Sequence, residues 1–410
     1  LYFFYQIPPW SLLINLAVVP LMSFVMGFGM LGGILGMASG SIGVFLSAPC
    51  HYLLESITQL CRLEQKLPGN LIVCGRPDAI RILLYYAVLG AAALVSRCFL
   101  EENSGLFCRR SRKQNYAVVR VVWLSAFLVC LLFMQPSRIQ QMEVTCLDVG
   151  QGDGILLRVP SGEVCMIDGG SSTENSIWDY RISQTLKCYG VRDIDWWFVS
   201  HSDSDHISGL LEYLQEYKRN IAGANAKGIT LHHLVLPVTK ERDEKLEQLQ
   251  RLASENGIQV HTMEAGDAVQ LKEQEESCIL KSLAPDGSHL TGDNNQDSLV
   301  LLLQYGRFRM LFTGDLEKEG EKYLLESGRS IDADVLKVGH HGTKNASSEE
   351  FLKEVSPRVA VISCAAKNRY GHPAPETVSR LQESGCQAVC TAQTGAVQIR
   401  SDGKGYEVLH

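Results

Sequence analysis

The sequence predicts an α/β sandwich preceded by transmembrane α-helices. Three observations carry that expectation. The 410 residues exceed one ordinary domain and divide into two chemically unlike parts. Residues 1–138 hold 11 Lys and Arg against 5 Asp and Glu, a net of +6, whereas the remaining 272 hold 27 against 40, a net of −13. Apolar blocks near the bilayer-spanning length of about 20 residues lie in the first part, and short apolar runs alternating with helical patterns fill the second. Residues 1–138 are therefore expected to be membrane-embedded, and 139–410 to form the sandwich.

Trp10 to Ala48 is almost uncharged and reads as one long helix or two. Pro20 and the glycines from Gly27 to Gly43 allow a break or a close helix contact. Ile80–Phe99 is a second block, and Val118–Met134 a third at the lower length limit for crossing. Between the first two, Tyr52 to Leu67 has helical apolar spacing with polar interruptions, as an interfacial helix or a loop helix would. The segment Arg97–Arg120 concentrates Arg97, Arg109, Arg110, Arg112, Lys113 and Arg120, which the positive-inside tendency places in the cytoplasm. One crossing by the third block then carries everything after Gln135 to the extracytoplasmic side. The chain starts at Leu1 in a hydrophobic run and is expected to be a piece of a longer protein without a visible signal peptide.

The pattern changes after Pro136. Glu143–Val149 and Ile155–Val159 are strand-like and flank the glycine turn Gly150-Gln-Gly-Asp-Gly154. Val164–Ile167 is a strand running into Asp168-Gly-Gly170, and helical patterns follow near Tyr180–Cys188, Ile207–Tyr217 and Asp243–Asn256. Further strands are expected at Leu234–Leu236, Ser298–Gln304, Arg309–Phe312, Asp334–Val338, Val359–Ser363 and Ala388–Thr391. The 13 cysteines follow no metal-finger or redox spacing. Cys98, Cys130 and Cys364 read as small apolar residues, and Cys386 and Cys390 as two buried thiols.

The densest chemistry is His201-Ser-Asp-Ser-Asp-His206, directly after the apolar run Trp196-Trp-Phe-Val199. His201 and Asp203 alternate along an extended chain and can face one spot, while Asp205 and His206 open the next helical pattern. Four mixed nitrogen and oxygen ligands exceed what one ion needs and suit a two-metal centre. A polar turn with one N-capping Asp would explain a single carboxylate and leave three groups unexplained. Four later clusters also sit at strand ends. Asp315 follows Met310-Leu-Phe-Thr-Gly, although a Gly-Asp turn alone is common. His340 and His341 follow Leu336-Lys-Val-Gly, His372 lies in Tyr370-Gly-His-Pro373, and Asn294 and Asp297 precede the Leu299 strand.

His201-x-Asp-x-Asp-His206, Phe312-Thr-Gly-Asp315 and Val338-Gly-His-His-Gly342, in this order, resemble the metallo-β-lactamase superfamily. Leu147-Asp-Val-Gly-Gln-Gly-Asp153, Asp297-Ser-Leu-Val300 and Tyr370-Gly-His-Pro373 are similar to the C-terminal domain of the ComEC-type competence DNA-uptake channel family. Asn15-Leu-Ala-Val-Val-Pro20 resembles the last part of that family's membrane domain. The resemblance implies a metallo-β-lactamase-like αβ/βα sandwich. It also implies metal positions at His201, Asp203, Asp205, His206, Asp315 and His341, with Asp315 as bridge, and catalytic roles for Asp205, His340 and His372. Asp203 stands where the superfamily usually has a second His. No clear third His precedes Ser298, so Asn294, Asp297 and Asp153 are further candidate ligands or substrate contacts. Ala374 replaces the second His of the Gly-His-Pro-His-Pro pattern.

An oxygen-rich ligand set shifts the expected cofactor from Zn²⁺ toward two Mn²⁺ ions, with Zn²⁺ and Mg²⁺ as alternatives. Such a pair suits phosphodiester hydrolysis, and no nucleophilic Ser or Cys motif competes. The expected function is a nuclease tethered to a DNA-uptake channel in the cell membrane, degrading the strand that is not imported. Its expected partners are DNA, membrane lipid, the rest of the channel and other uptake proteins. The net of −13 on the second part argues against strong nonspecific duplex binding but not against a nuclease. A DNA-binding transport subunit without cleavage, and a hydrolase of another phosphodiester, are the competing readings.

Overall fold

The computed structural model describes residues 3–64, 66–67, 69–100, 112–133, 139–221, 228–241, 243–272 and 277–410. Contacts divide the chain into two compact units. One comprises Leu1–Ile7, Ile72–Ser137 and Thr185–Val191, and the other Pro8–Leu71, Arg138–Gln184 and Arg192–His410.

In the first unit a two-stranded antiparallel ribbon joins β1 (Gln6–Ile7) to β2 (Ile72–Val73). The helices α3 (Ala79–Leu100) and α4 (Arg112–Phe133) pack against each other. Both expected blocks are helical, while Arg109, Arg110 and Ser111 of the basic cluster lie outside the described residues.

In the second unit the first apolar block is two helices rather than one. They are α1 (Ser11–Gly36) and α2 (Gly40–Glu64). The glycines make the contact between them possible: a Cβ on Gly43 would lie 2.7 Å from the Gly36 Cα, and one on Gly32 would lie 2.3 Å from the Ser47 hydroxyl. The amphipathic segment from Tyr52 to Glu64 is the continuation of α2, so apolar and polar-interrupted parts share one helix. Among the described residues, three helical stretches, Ser11–Gly36, Ala79–Phe99 and Asn115–Leu132, are long and apolar enough to cross a membrane.

The sandwich consists of two mixed sheets. The strands β3 (Met142–Cys146), β4 (Ile155–Arg158), β5 (Val164–Ile167), β6 (Asp193–Phe198), β7 (Thr230–Pro237) and β8 (Gln259–Met263) belong to the first. The strands β9 (Ala268–Leu271), β10 (Cys278–Ala284), β11 (Val300–Tyr305), β12 (Phe308–Phe312), β13 (Val335–Lys337), β14 (Val359–Ile362) and β15 (Gln387–Cys390) make the second. The chain then returns to the first sheet with β16 (Val397–Ser401) and β17 (Tyr406–Leu409), giving the order β17-β16-β3-β4-β5-β6-β7-β8. The second sheet keeps the order β15-β14-β13-β12-β11-β10-β9.

Each sheet is antiparallel on one side and parallel on the other, with β5 to β8 and β12 to β15 parallel. Alternation of side chains builds the core between the sheets. Val144, Leu157, Ile167 and Phe198 of one sheet meet Leu301, Leu303, Met310 and Phe312 of the other. The outer residues Val300, Leu302, Leu311 and Leu336 pack with Phe351, Leu352 and Leu381, so the second sheet is buried on both faces there. The helices include α5 (Ser183–Cys188), α6 (Ser204–Ile221) and α7 (Glu244–Glu255), then α8 (Lys318–Glu326), α9 (Glu349–Val355), α10 (Pro375–Glu383) and α11 (Thr391–Thr394). Parallel strands have their C-terminal ends on one edge, and β6, β12, β13 and β14 lead there into the polar clusters picked out by sequence.

Candidate metal centre

The site is assembled from loops that follow buried strands. After β6 the chain stays extended through Val199, whose N–H donates to the Val235 carbonyl at 3.0 Å. Ser200 is fixed next: its N–H and its hydroxyl donate to the two oxygens of Asp168, each at 2.7 Å. Asp168 ends β5, has φ of 56°, and also receives His206 Nδ1 at 2.9 Å. One buried carboxylate thus sets both the loop and an imidazole. Ser204 then starts α6, which puts Asp205 and His206 in its first turn. The glycine turn between β3 and β4 closes over this corner. Gly152, at φ of 156°, lies so close that a Cβ would fall 2.3 Å from the Gly170 carbonyl and 2.5 Å from that of Asp205.

Three imidazoles and the Asp315 carboxylate converge. Asp315 Oδ1 is 3.1 Å from His206 Nε2, and its Oδ2 is 3.8 Å from His201 Nε2 and 3.7 Å from His341 Nε2. His341 Nε2 also lies 3.5 Å from Asp205 Oδ2, and His341 Nδ1 3.7 Å from Asp153 Oδ1. Ligand atoms of His201, His206 and Asp315 lie within 4.8 Å of one another, as do those of Asp205, His206 and His341, and those of Asp153, Asp315 and His341.

The donor chemistry fits divalent cations. His201 Nε2, His206 Nε2, His341 Nε2, Asp315 Oδ1 and Asp153 Oδ1 are all buried without a hydrogen-bond partner. Orphaned buried atoms are costly unless something else satisfies them. The opposite nitrogen of each imidazole is anchored, His201 Nδ1 by the Ser200 hydroxyl at 3.0 Å, His206 Nδ1 by Asp168, and His341 Nδ1 by the Ser363 carbonyl at 3.1 Å. Anchoring one ring nitrogen and leaving the other bare is how proteins prepare histidine ligands.

Charge follows the same geometry. Burial pushes the Asp315 carboxyl up, but His206 and His341 outweigh it and hold Asp315 well below the usual range. Burial pushes His206 down, yet Asp315 and Asp168 raise it well above an ordinary imidazole. His201 is lowered, by burial and then by His206 beside it. Burial would raise Asp153, but the ammonium of Lys337 and the ring of His341 lower it. The site is strongly anionic wherever its imidazoles are neutral, as a cation requires.

The remaining sequence candidates fall into different places. Asp203 sits at the rim, its side chain half exposed and 3.9 Å from His201 Nε2. His340 and His341 both have positive φ, 44° and 53°, which turns the two rings to different sides. His340 Nδ1 is held by Glu317 Oε1 at 2.8 Å, and its Nε2 lies 3.7 Å from Asp315. The His372 ring centroid is 5.8 Å from that of His340 and 6.2 Å from that of His341. Its Nδ1 is 3.3 Å from the Gln151 amide nitrogen. Burial, then His341 and His340, bring His372 down to about 4.

Asn294 and Asp297 lie on the loop before β11 and line a cleft beside His201. Asn294 donates to the Ser202 hydroxyl at 2.9 Å, and both Asp297 oxygens accept from Thr291 and Gly292. These contacts fix the loop before β11. Asp153 does point inward, held by Lys337 Nζ at 2.7 Å. Sequence reading passed over Asp168, Ser200, Glu317 and Lys337. Asp168 was detectable as a carboxylate at a strand end, like the other ligands. Glu317 and Lys337 carried no such mark. A cleft of about 390 Å³ opens beside His201, with Lys240, Lys245 and Asn294 in its lining.

Comparison with known proteins agrees with this fold. Residues 147–366 match the Metallo-beta-lactamase superfamily, which takes in more than half of the chain, and the chain belongs to that superfamily. Residues 1–98 match the Competence protein family, and the two domains in this order match a ComEC-type protein. The chain is similar to ComE operon protein 3 of Bacillus subtilis, at 29% identity over 98% of this chain and 49% of that one. It is also similar to Competence protein ComA of Neisseria gonorrhoeae, at 25% over 68% of this chain and 35% of that one. Recombination protein 2 of Haemophilus influenzae is 30% identical over 66% of this chain and 30% of its own length. The chain thus spans about half or less of the length of these curated relatives. A metal-dependent hydrolase domain carried by a membrane protein is the class these features define.

Proposed function

We propose that residues 139–410 are a metal-dependent phosphodiesterase that cuts DNA, and that residues 1–138 embed it in the membrane beside a DNA-uptake channel. The observation that carries the reading is the set of five bare, buried ligand atoms on Asp153, His201, His206, Asp315 and His341. Asp205, His206, His341 and Asp315 would hold one divalent ion, and His201, Asp203 and Asp315 the other. Bound there, two cations supply an activated water and charge neutralisation for an in-line displacement at phosphorus. Mn²⁺ is the first choice because carboxylates contribute half or more of these ligands.

The chain's own groups account for the rest. With Nδ1–H donating to Glu317, His340 presents Nε2 to the substrate side and can take or return a proton there. Gln151 donates to His372 Nδ1, so the neutral ring carries its proton on Nε2 and offers a hydrogen bond to developing negative charge. The cleft beside His201 gives a polymer room to continue past the site, and its lining sets Lys240 and Lys245 among Glu241, Asp243, Glu244 and Asp297.

Membrane lipid, DNA, the remainder of the channel and other uptake proteins are the proposed partners. The catalytic part is proposed to face away from the cytoplasm, where it meets incoming DNA and removes the strand that is not imported. The test uses the chain purified in detergent, loaded with Mn²⁺ and given single- and double-stranded DNA. Metal-dependent release of nucleotides, lost in Asp315→Asn, is expected. Binding of DNA without release would instead favour a transport subunit, and hydrolysis confined to small diesters would remove DNA as the substrate.

A further inference from the structure

Two cysteines that are 26 residues apart in sequence meet behind the site. β14 and β15 are parallel neighbours in register Ile362 with Cys390, and Cys364 follows β14 by two residues. Its sulfur lies 3.3 Å from that of Cys390. The backbone there is pinned, since the Cys364 N–H donates to the Thr391 hydroxyl at 3.2 Å and that hydroxyl donates back to the Cys364 carbonyl. A sulfur–sulfur bond of about 2 Å is within reach of side-chain rotation alone.

We propose that Cys364 and Cys390 are a covalent modification site, converted to an intramolecular disulfide by exchange with a disulfide-bearing oxidant. Cys390 attacks as thiolate: the hydrogen bond from Cys364, working against burial, brings it to about 7, within the reactive range. It forms a mixed disulfide and expels one half of the oxidant as a thiol. Cys364 then loses its proton, attacks the Cys390 sulfur and expels the second half. The pair gives up two protons and two electrons, and the oxidant leaves as two thiols. Cys390 is 7% exposed and stands on β15, the edge strand of its sheet, so local opening of that edge gives access.

The bond would matter to the metal centre through its neighbours. Ser363, next to Cys364, supplies the carbonyl that anchors His341, and Ala365 donates to Gln151, the partner of His372. The closed loop also contains His372. A disulfide at this point fixes that whole frame against β15.

The experiment compares the full chain incubated with dithiothreitol or with oxidised glutathione. Free thiols are blocked with iodoacetamide after unfolding, and peptides are mapped without reduction. A peptide pair linked through Cys364 and Cys390, a trace in dithiothreitol and dominant after oxidation, is expected. It should persist in Cys386→Ser. Recovery of both residues as alkylated thiols after oxidation overturns the proposal. So does bonding of Cys390 to Cys386 or to glutathione in place of Cys364.

Discussion

Asp315 lies within 4 Å of four imidazole nitrogens, those of His201, His206, His340 and His341, and no other carboxylate of the site does so. Asp315→Asn is therefore expected to abolish metal-dependent hydrolysis and lower bound metal while leaving the fold intact. His340→Ala should keep its metal and lose rate, because Glu317 takes its Nδ1 and its Nε2, 3.7 Å from Asp315, belongs to none of the groups whose ligand atoms lie within 4.8 Å of one another. Metal analysis beside a rate assay separates the two outcomes, and equal metal loss in both would reverse the assignment of the His340–His341 pair. The buried pair of Asp153 and Lys337 invites a pH experiment. Burial, outweighed by Lys337, leaves Asp153 lowered, and burial, outweighed by Asp153, leaves Lys337 raised. A lowered carboxyl contributes stability above its unfolded value of about 3.9 and loses it as pH falls through the folded value. A raised ammonium contributes below its unfolded value of about 10.4 and loses it as pH rises through the folded one. Urea unfolding should show a plateau between these limits. Lys337→Met should lower it by about 3–5 kcal/mol, and Asp153→Asn on that background should restore part of the loss.

At the scale of elements, one helix start and one bend divide the ligands unequally. Asp205 and His206 share the first turn of α6 and face His341 and Asp315, which is the proposed four-ligand position. Asp203, in the bend before α6, offers a half-exposed carboxylate to His201, and no third His completes that side. Metal binding is therefore expected in two steps, one tight and one weaker. Calorimetric titration with Mn²⁺ should resolve them, and Asp203→Ala should remove the weaker step alone. A single step of two equivalent ions would show that the bend closes on the metal more tightly than its distances indicate.

For the whole molecule the decisive expectation is topological. The basic cluster from Arg109 to Lys113 is proposed to stay in the cytoplasm, and one crossing by the Asn115–Leu132 helix to carry the catalytic part to the other face. Reporter fusions at the C-terminus and near Ser111 should give opposite compartments. If both report the cytoplasm, the metal chemistry stands but the uptake geometry does not. The sequence alone determined the class of fold and the apolar helices, and it named most of the residues that converge at the candidate site. These signals are local: apolar periodicity marks strands and helices, and His201 to His206 are contiguous. It left Trp10–Ala48 open as one long helix or two, and gave no sign that α2 would run from Gly40 to Glu64 without interruption. Strands such as β8, β9 and β17 were missed because they are short and half exposed, and β16 was missed despite the buried alternation of Val397 and Ile399. Only tertiary structure could decide the second layer of the site. Lys337 reaches Asp153 across 184 residues, Glu317 reaches His340 across 23, and Cys364 meets Cys390 because β14 and β15 lie side by side. Such pairings depend on strand order and register. The same geometry turned Asn294 and Asp297, plausible ligands by position, onto neighbouring backbone and hydroxyl groups.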